Sequence, residues 1–425
     1  MRCSITNFGL AIVEVCMKAQ SSTASNRVEK SVRTWMMSDL ASVIPGTYLE
    51  DWRTVGSLRD VVESVYVSET SYPVSSVDLT NSSINIHVYT PNTSEPEELT
   101  SAGADEGQTI NAATVCLMPS ASVEGLWQSL YYGDDVKSRL LNYIYATIRF
   151  SRAGVDANVV SWNRVLLLHG PPGTGKTSLC RALAHKLSIR LGKEYPATQL
   201  IEINSHSLFS RWFSESGKLV QGLFNEVKEL CDDEDNFVVV LIDEVESLTA
   251  ARAGSVSSGE PIESIRVVNA LLTQLDKLKH RKNVLVVTTS NLIDSIDPAF
   301  RDRADIIQYV GLPPQDGVYW ILRDCLLELI EKKLIAPVPV QKLLDLPEYR
   351  LITKMTESRA KEASNSLYSL AARCKGMSGR TLRRLPVLAA AHHLTGADFD
   401  PPPPVEVFLE AMAMVVQEGL AHAGV

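Results

Sequence analysis

At 425 residues the chain is long enough for two or three domains, and its hydrophobic fraction of 45% and charged fraction of 21% are those of an ordinary globular protein. A net charge of −9 argues against a protein whose main task is gripping nucleic acid. Seven scattered cysteines, odd in number and with no C-x-x-C pair, argue against a disulfide framework or a zinc site and point to a reducing compartment.

The first apolar run, residues 8–17, has the look of a signal-peptide core, but Glu14 interrupts it and only Arg2 precedes it as a positive charge. It is read as a strand. No run reaches the length of a membrane span, so the expectation is a soluble intracellular protein with no membrane partner. Residues 1–92 read as a small α+β binding domain, with strands over residues 10–15, 61–67 and 84–89 and a short helix over 28–37. Ile84, Ile86 and Val88 alternate with Asn85 and His87, which predicts a half-buried strand with His87 facing solvent. Residues 91–111 are rich in Pro, Ser, Thr, Glu, Gly and Asn. They mark a mobile linker, placed at 93–114.

From residue 115 to 312 the pattern becomes α/β. An amphipathic helix over 134–148 is followed by apolar strands at 165–168, 199–203, 237–242, 284–288 and 306–310, with helical segments between them. Such alternation predicts a parallel sheet covered by helices. Leu312-Pro313-Pro314 breaks the pattern. Residues 313–425 then read as a small all-α domain, with helices over 318–332, 341–345, 365–375, 381–393 and 405–421.

The strand at 165–168 runs into Gly170-Pro171-Pro172-Gly173-Thr174-Gly175-Lys176-Thr177, a full match to the Walker A pattern G-x-x-x-x-G-K-[ST] between a strand and a helix N-terminus. Glycines let backbone N–H groups close around phosphate, and the helix dipole favours negative charge there. Lys176 would reach the β- and γ-phosphates of ATP and Thr177 would place its hydroxyl on Mg2+. The strand at 237–242 delivers Asp243 and Glu244 at its carboxyl end, where ligands sit in open α/β sheets. Asp243 would hold Mg2+ and Glu244 would polarise the attacking water; the bland alternative is a strand that ends in acidic loop residues. Asn291 ends the next apolar strand and would orient the same water, with capping or turn duty as the alternative. Arg301 and Arg303 stand before the last strand, where an arginine at a subunit boundary would enter a neighbour's site as a finger, or else form a surface salt bridge. In the final domain Ser378 reads as an N-cap, Arg380 as a group that reaches back to the γ-phosphate, and Arg383 and Arg384 as a solvated face. Arg211, Trp212 and Phe213 lie in a polar loop, where large aromatics either contact something or tuck into the core.

In this order the chain resembles an AAA+ ATPase. More narrowly, it resembles the pachytene checkpoint protein two family, whose animal members are called thyroid receptor-interacting protein thirteen. The resemblance is carried by Trp162 to Cys180, Ile201 to Phe209, Trp212 to Val220, Leu241 to Arg252 and Asp302-Arg303-Ala304-Asp305. It is strong from about residue 125 to 314, moderate in the helical lid and weak before residue 110.

The resemblance implies a homohexamer that pulls on HORMA-domain substrates through a central pore and converts them from closed to open form, with a HORMA-like adaptor. It implies action on spindle-checkpoint complexes and meiotic chromosome axes, in nucleus and cytoplasm. It makes Trp212, flanked by Arg211 and Phe213, the pore-loop aromatic, favours Arg303 over Arg301 as the finger, and makes the N-terminal domain the adaptor and substrate platform. Rival readings are a DNA-acting AAA+ protein, disfavoured by the acidic balance, and a nucleotide-gated scaffold that remodels nothing. A microtubule-severing or membrane-fusion motor is a third, disfavoured by the closer match.

Overall fold

The structure, a computed structural model, describes residues 10–21, 23–70, 76–102, 109–156, 159–205, 216–249, 261–336, 359–394 and 401–422. In chain order the first part holds β1 (Leu10–Met17), α1 (Ser25–Asp39), β2 (Ser42–Val43), β3 (Thr47–Leu49), α2 (Gly56–Arg59), β4 (Val62–Thr70), β5 (Val77–Asp78), β6 (Ser83–Tyr89), β7 (Glu97–Ala102) and β8 (Thr109–Met118). Then come α3 (Leu126–Ser129), α4 (Val136–Arg152), β9 (Val165–His169), α5 (Lys176–Leu191), β10 (Ala197–Asn204), α6 (Ser216–Asp232), β11 (Asn236–Asp243), α7 (Glu246–Thr249), α8 (Pro261–Leu278), β12 (Val284–Ser290), α9 (Pro298–Arg301) and β13 (Ile306–Tyr309). The last part is helical: α10 (Gln315–Glu331), α11 (Arg359–Arg373), α12 (Gly379–His393) and α13 (Val405–His422). Among the described residues no helix is long and apolar enough to cross a membrane.

Two sheets dominate, one ordered β3-β4-β1-β6 and one ordered β13-β9-β12-β11-β10-β8-β7. By density of contact the chain divides into two compact units. The first comprises Met1–Trp127, Cys180–Asp243 and Ser258–Val287; the second comprises Gln128–Leu179, Glu244–Ser257 and Thr288–Val425.

In the first unit β1 runs antiparallel to β4 and parallel to β6. Ala11, Val13, Val15 and Met17 point to one face of this sheet, where Val28, Val32, Trp35 and Met36 of α1 close a core. The alternate residues of β1, Glu14 and Cys16, are buried as well, because the other face is covered too: Lys186 and Arg190 of α5 reach Glu14 there. His87 lies opposite Glu14 in the β1–β6 register and is buried, not solvent-facing as the alternation predicts. Alternation reports one apolar face; it does not exclude a polar layer on the other.

The predicted linker also differs. β7 and β8 pair antiparallel, and β8 pairs antiparallel with β10, so both strands extend the edge of the large sheet. The edge strand β7 needs ladder partners on one side only and tolerates exposed polar side chains such as Glu97 and Glu98, which is why composition alone reads as loop.

β10 and β11 are parallel, as are β13 and β9. Every residue of β12 and all but the last of β11 are buried, as a strand covered on both faces requires. In the second unit α10 to α13 pack around Leu322, Leu326, Leu367, Leu382, Phe408 and Met412, the expected helical lid. Residues 341–345 lie outside the described residues.

Candidate functional site

β9 is inaccessible along Val165 to Leu168 and carries the chain into Gly170 at its carboxyl end. Gly170, Gly173 and Gly175 have φ of 147°, 76° and 90°, a region that L side chains avoid. A Cβ on Gly170 would stand 2.2 Å from the Val310 carbonyl oxygen, one on Gly173 would stand 2.8 Å from Ser378 Oγ, and one on Gly175 would stand 3.2 Å from Leu130 Cδ2. The glycines are thus fixed by shape as well as by dihedral. Within the loop Thr174 Oγ1 donates to the Pro171 carbonyl at 3.0 Å. α5 begins at Lys176, with half-buried Thr177 as its second residue.

Lys176 is 6% exposed. Its Nζ donates to the carbonyls of Gly170 and Pro171 at 2.8 and 2.9 Å and to Asn291 Oδ1 at 2.8 Å. The amide of Asn291 turns its other end to Glu244 Oε1, 3.5 Å from Nδ2, and its backbone N–H donates to Glu246 Oε1 at 2.9 Å. Lys176, Asn291 and Glu244, predicted separately, therefore form one line of contacts. Glu246 was not anticipated. The signal was its place two residues after Glu244, at the start of α7.

Glu244 has φ 52°, outside the common range for a residue with a side chain. Its N–H donates to Thr289 Oγ1 at 3.0 Å and the next N–H, of Val245, donates to the Thr289 carbonyl at 2.9 Å. The end of β12 holds this turn, offsetting a conformational cost of about 1–3 kcal/mol, and such strain gathers at functional positions. Asp243, one residue earlier, receives the Ser205 hydroxyl on its backbone oxygen at 2.5 Å.

Arg301 ends α9 and Arg303 follows it by two residues, both half-buried, and Asp297 caps the helix by accepting the Ala299 N–H at 2.7 Å. Arg303 Nη1 donates to the Ala299 carbonyl at 2.8 Å. Asp305 anchors this segment. Its carboxylate accepts the N–H groups of Asn163 and Val165 at 2.9 and 3.2 Å and the Tyr143 hydroxyl at 2.5 Å.

From the lid, Ser378 Oγ accepts the Thr381 N–H at 3.2 Å, the expected N-cap, and the backbone N–H of Arg380 donates to the Gly173 carbonyl at 3.3 Å. The Arg380 side chain is exposed. Arg383 is exposed but not merely solvated, since Nη2 donates to the Ser129 carbonyl at 3.3 Å. Sequence reasoning missed the segment after α3: Tyr132 Oη donates to the Gly175 carbonyl at 3.4 Å, and Tyr131 Cδ1 lies 2.7 Å from where a Cβ on Gly317 would be. Arg211, Trp212 and Phe213 lie outside the described residues.

A loop of glycine backbone at a helix N-terminus, with a buried lysine, fits a polyphosphate. The hydroxyl of Thr177 and the carboxylate of Asp243 are hard oxygen donors of the kind Mg2+ takes.

Residues 166–312 match the ATPase family associated with various cellular activities (AAA), residues 10–94 match the TRIP13 N-terminal domain, and residues 314–420 match the TRIP13-like AAA+ ATPase lid C-terminal domain. The pachytene checkpoint protein 2 homolog of Gallus gallus is 44% identical over 411 residues, covering 96% of this chain and 92% of the relative. The Homo sapiens homolog is 43% identical with the same coverage. Among solved structures, C. elegans PCH-2 superposes with a TM-score of 0.76 at 31% identity, covering 96% of this chain and 99% of that one. A chain from the E. coli MS115-1 HORMA:CdnC:Trip13 complex has a TM-score of 0.51 at 18% identity and shares the fold over 72% of this chain and 94% of its own length.

Proposed function

This chain belongs to the pachytene checkpoint protein 2 family of AAA ATPases, and on that premise we propose that it hydrolyses ATP to convert HORMA-domain proteins from a closed to an open form. The observation that supports the chemistry most is the line Lys176–Asn291–Glu244, set beside a loop whose glycines hold positive-φ backbone at the start of α5. The E. coli complex that contains both HORMA and Trip13 supports the choice of partner.

With ATP bound, Lys176 exchanges the carbonyls it now holds for β- and γ-phosphate oxygens, and the N-terminus of α5 adds favourable partial charge. Thr177 and Asp243 are the residues that would hold Mg2+ as the motifs imply, and a cation there would supply charge neutralisation for the phosphates. Glu244 orients and polarises the attacking water, and Asn291 fixes the carboxylate of Glu244 relative to Lys176. Arg380 follows the loop, since its own backbone already touches Gly173. In a homohexamer Arg303 completes the neighbour's site, and Trp212, with Arg211 and Phe213, grips the substrate in the pore. The N-terminal domain receives the HORMA-like adaptor. The biological settings we propose are disassembly of spindle-checkpoint complexes and turnover of HORMA proteins on meiotic chromosome axes, in nucleus and cytoplasm.

The test is steady-state ATPase activity of the purified protein, alone and with a closed HORMA-domain protein plus its adaptor. Stimulation in the parent that vanishes in Trp212→Ala supports a threading motor. A Trp212→Ala protein that remodels at the parental rate leaves a nucleotide-gated scaffold. Stimulation by DNA instead of protein overturns the substrate assignment. Arg303→Ala is expected to bind ATP and lose turnover by about 10³-fold or more, the scale of a finger. Glu244→Gln is expected to bind ATP and retain substrate.

A further inference from the structure

The single acid of β1 is the least expected residue in the molecule. Glu14 is 3% exposed, and its Oε1 lies 2.7 Å from Lys186 Nζ and 2.7 Å from Arg190 Nε. Both bases come from α5, one helical turn apart, and are themselves 1% and 7% exposed. Lys186 also donates to Ser68 Oγ of β4 at 2.5 Å and lies 5.5 Å from the Trp127 ring centroid. Around this centre are outer contacts with the N-terminal domain: Arg190 Nη2 of α5 with Glu69 at 3.5 Å, and Lys193, in the turn that follows the helix, with Glu29 at 3.0 Å. His185 Nε2 stands 3.3 Å from Glu124, which also accepts the Tyr89 hydroxyl at 2.8 Å.

Three charged groups in a closed interface cost more to bury than an apolar patch of the same size would, so stability alone does not call for them. What they supply is geometry. One carboxylate placed between two bases fixes the register of β1 against α5 and admits no sliding. Burial alone would push the Glu14 carboxyl up, but the two cations outweigh it and hold it below the ordinary carboxylate range, so the acid stays ionised.

The helix on which this clamp closes begins at the Walker lysine. Arg190 is 14 residues from Lys176 on one uninterrupted helix, about 21 Å at 1.5 Å per residue. We infer that Glu14 is a positioning residue that fastens the N-terminal sheet to α5, so that the nucleotide state of the loop is carried along this helix into the N-terminal domain. This coupling rests on the reading of the loop as a nucleotide site.

Hydrogen exchange on the full-length protein, with and without a non-hydrolysable ATP analogue, tests it. The analogue is expected to slow exchange at residues 170–177 and also, by at least threefold, along β1 and β4. In Glu14→Gln the slowing at 170–177 is expected to persist and the effect on β1 and β4 to disappear. The charge exchange Glu14→Lys with Lys186→Glu, which keeps one acid between two bases, is expected to restore at least half of it. Protection at the loop with no change in β1 of the parent protein overturns the coupling, whether or not any variant folds. A Glu14→Gln protein that still relays protection to β1 overturns the role of Glu14. Absence of protection at 170–177 itself would instead strike the nucleotide reading.

Discussion

Two buried lysines on one helix, ten residues apart, are put to opposite uses. Lys176 begins α5 and makes hydrogen bonds to three uncharged oxygens, two of them carbonyls of its own loop. Lys186 is paired with a carboxylate and a hydroxyl from another part of the chain. The carbonyls that Lys176 holds can be exchanged for anionic phosphate oxygens, which add the Coulomb attraction of an ion pair that a neutral carbonyl does not supply. An ammonium already paired with a buried carboxylate gains nothing from exchange. The first arrangement suits a ligand and the second suits a joint.

The largest effect that separates them is on turnover. Lys176→Ala is expected to lower ATPase activity by about 10²–10³-fold, the scale of losing one donor aimed at developing charge. Its stability should fall by less than that of the Lys186 variant, because the oxygens it leaves are uncharged, whereas Lys186 leaves a buried carboxylate. Lys186→Met is expected to do the reverse. Breaking a buried pair by removing one partner costs about 3–5 kcal/mol, toward the lower end here because Arg190 remains beside Glu14. Denaturant titration should find that loss with nucleotide affinity at the folded baseline unchanged. If Lys186→Met stays as stable as the parent yet loses nucleotide, the distinction between ligand lysine and joint lysine falls.

The same two regions differ in how far they can be read without coordinates. Every determinant of the loop is local: eight consecutive residues, a strand before and a helix after. Asn291 and Glu244 follow from the rule that strand ends converge, and the structure sets both against Lys176 or each other. Glu14 has no such signal. Within an apolar run it reads as an interruption, and its partners lie 172 and 176 residues away. A buried acid becomes legible only when the helix that neutralises it is in place. His87 fails for the same cause, since alternation tells of α1 on one face and says nothing of α5 on the other. The edge strand β7 is hidden by composition, because a strand with one exposed edge carries the residues of a loop, and β8 begins inside the same polar stretch. Glu246 and Tyr132 act on the site through a carboxylate and a hydroxyl that fall outside any motif.

Histidines sharpen the contrast at a scale of a few kcal/mol. His169, last residue of β9, is held below the ordinary histidine range by burial and then by the Lys176 charge. His87 is held down to about 4, first by burial and then by Arg190. A histidine that folds neutral gives its full contribution above the unfolded value of about 6.5 and loses it as pH falls toward 4. For His87 the full loss is about 3 kcal/mol, of which about 2 kcal/mol is gone by pH 5. Glu14 acts later, since a carboxylate held low loses its contribution only as pH falls below the ordinary carboxylate range. The expected result is that His87→Gln flattens the fall in urea midpoint between pH 7 and pH 5. A slope unchanged in that variant would assign the acid sensitivity elsewhere.

The smallest effect probes the movable side of the comparison. Gly173 and Gly376 both have positive φ, 76° and 91°, so alanine at either costs about 1 kcal/mol of backbone strain. Their surroundings differ. A Cβ on Gly376 meets nothing within 4 Å, whereas one on Gly173 comes within 2.8 Å of Ser378 Oγ and 3.2 Å of Arg380 Cβ. Stability measurements should therefore find the two alanine variants within about 1 kcal/mol of each other, because the start of α12 can give way by a few tenths of an ångström. Turnover should separate them. Moving Ser378 and Arg380 off the loop displaces the lid from the phosphate bed, and misplacement on the order of 1 Å near a reacting group costs up to about 100-fold in rate. Gly376→Ala is expected to turn over at the parental rate and Gly173→Ala about tenfold more slowly. Equal rates would mean that the contact between loop and lid is incidental packing, and that the loop does its work with Lys176, Asn291 and Glu244 alone.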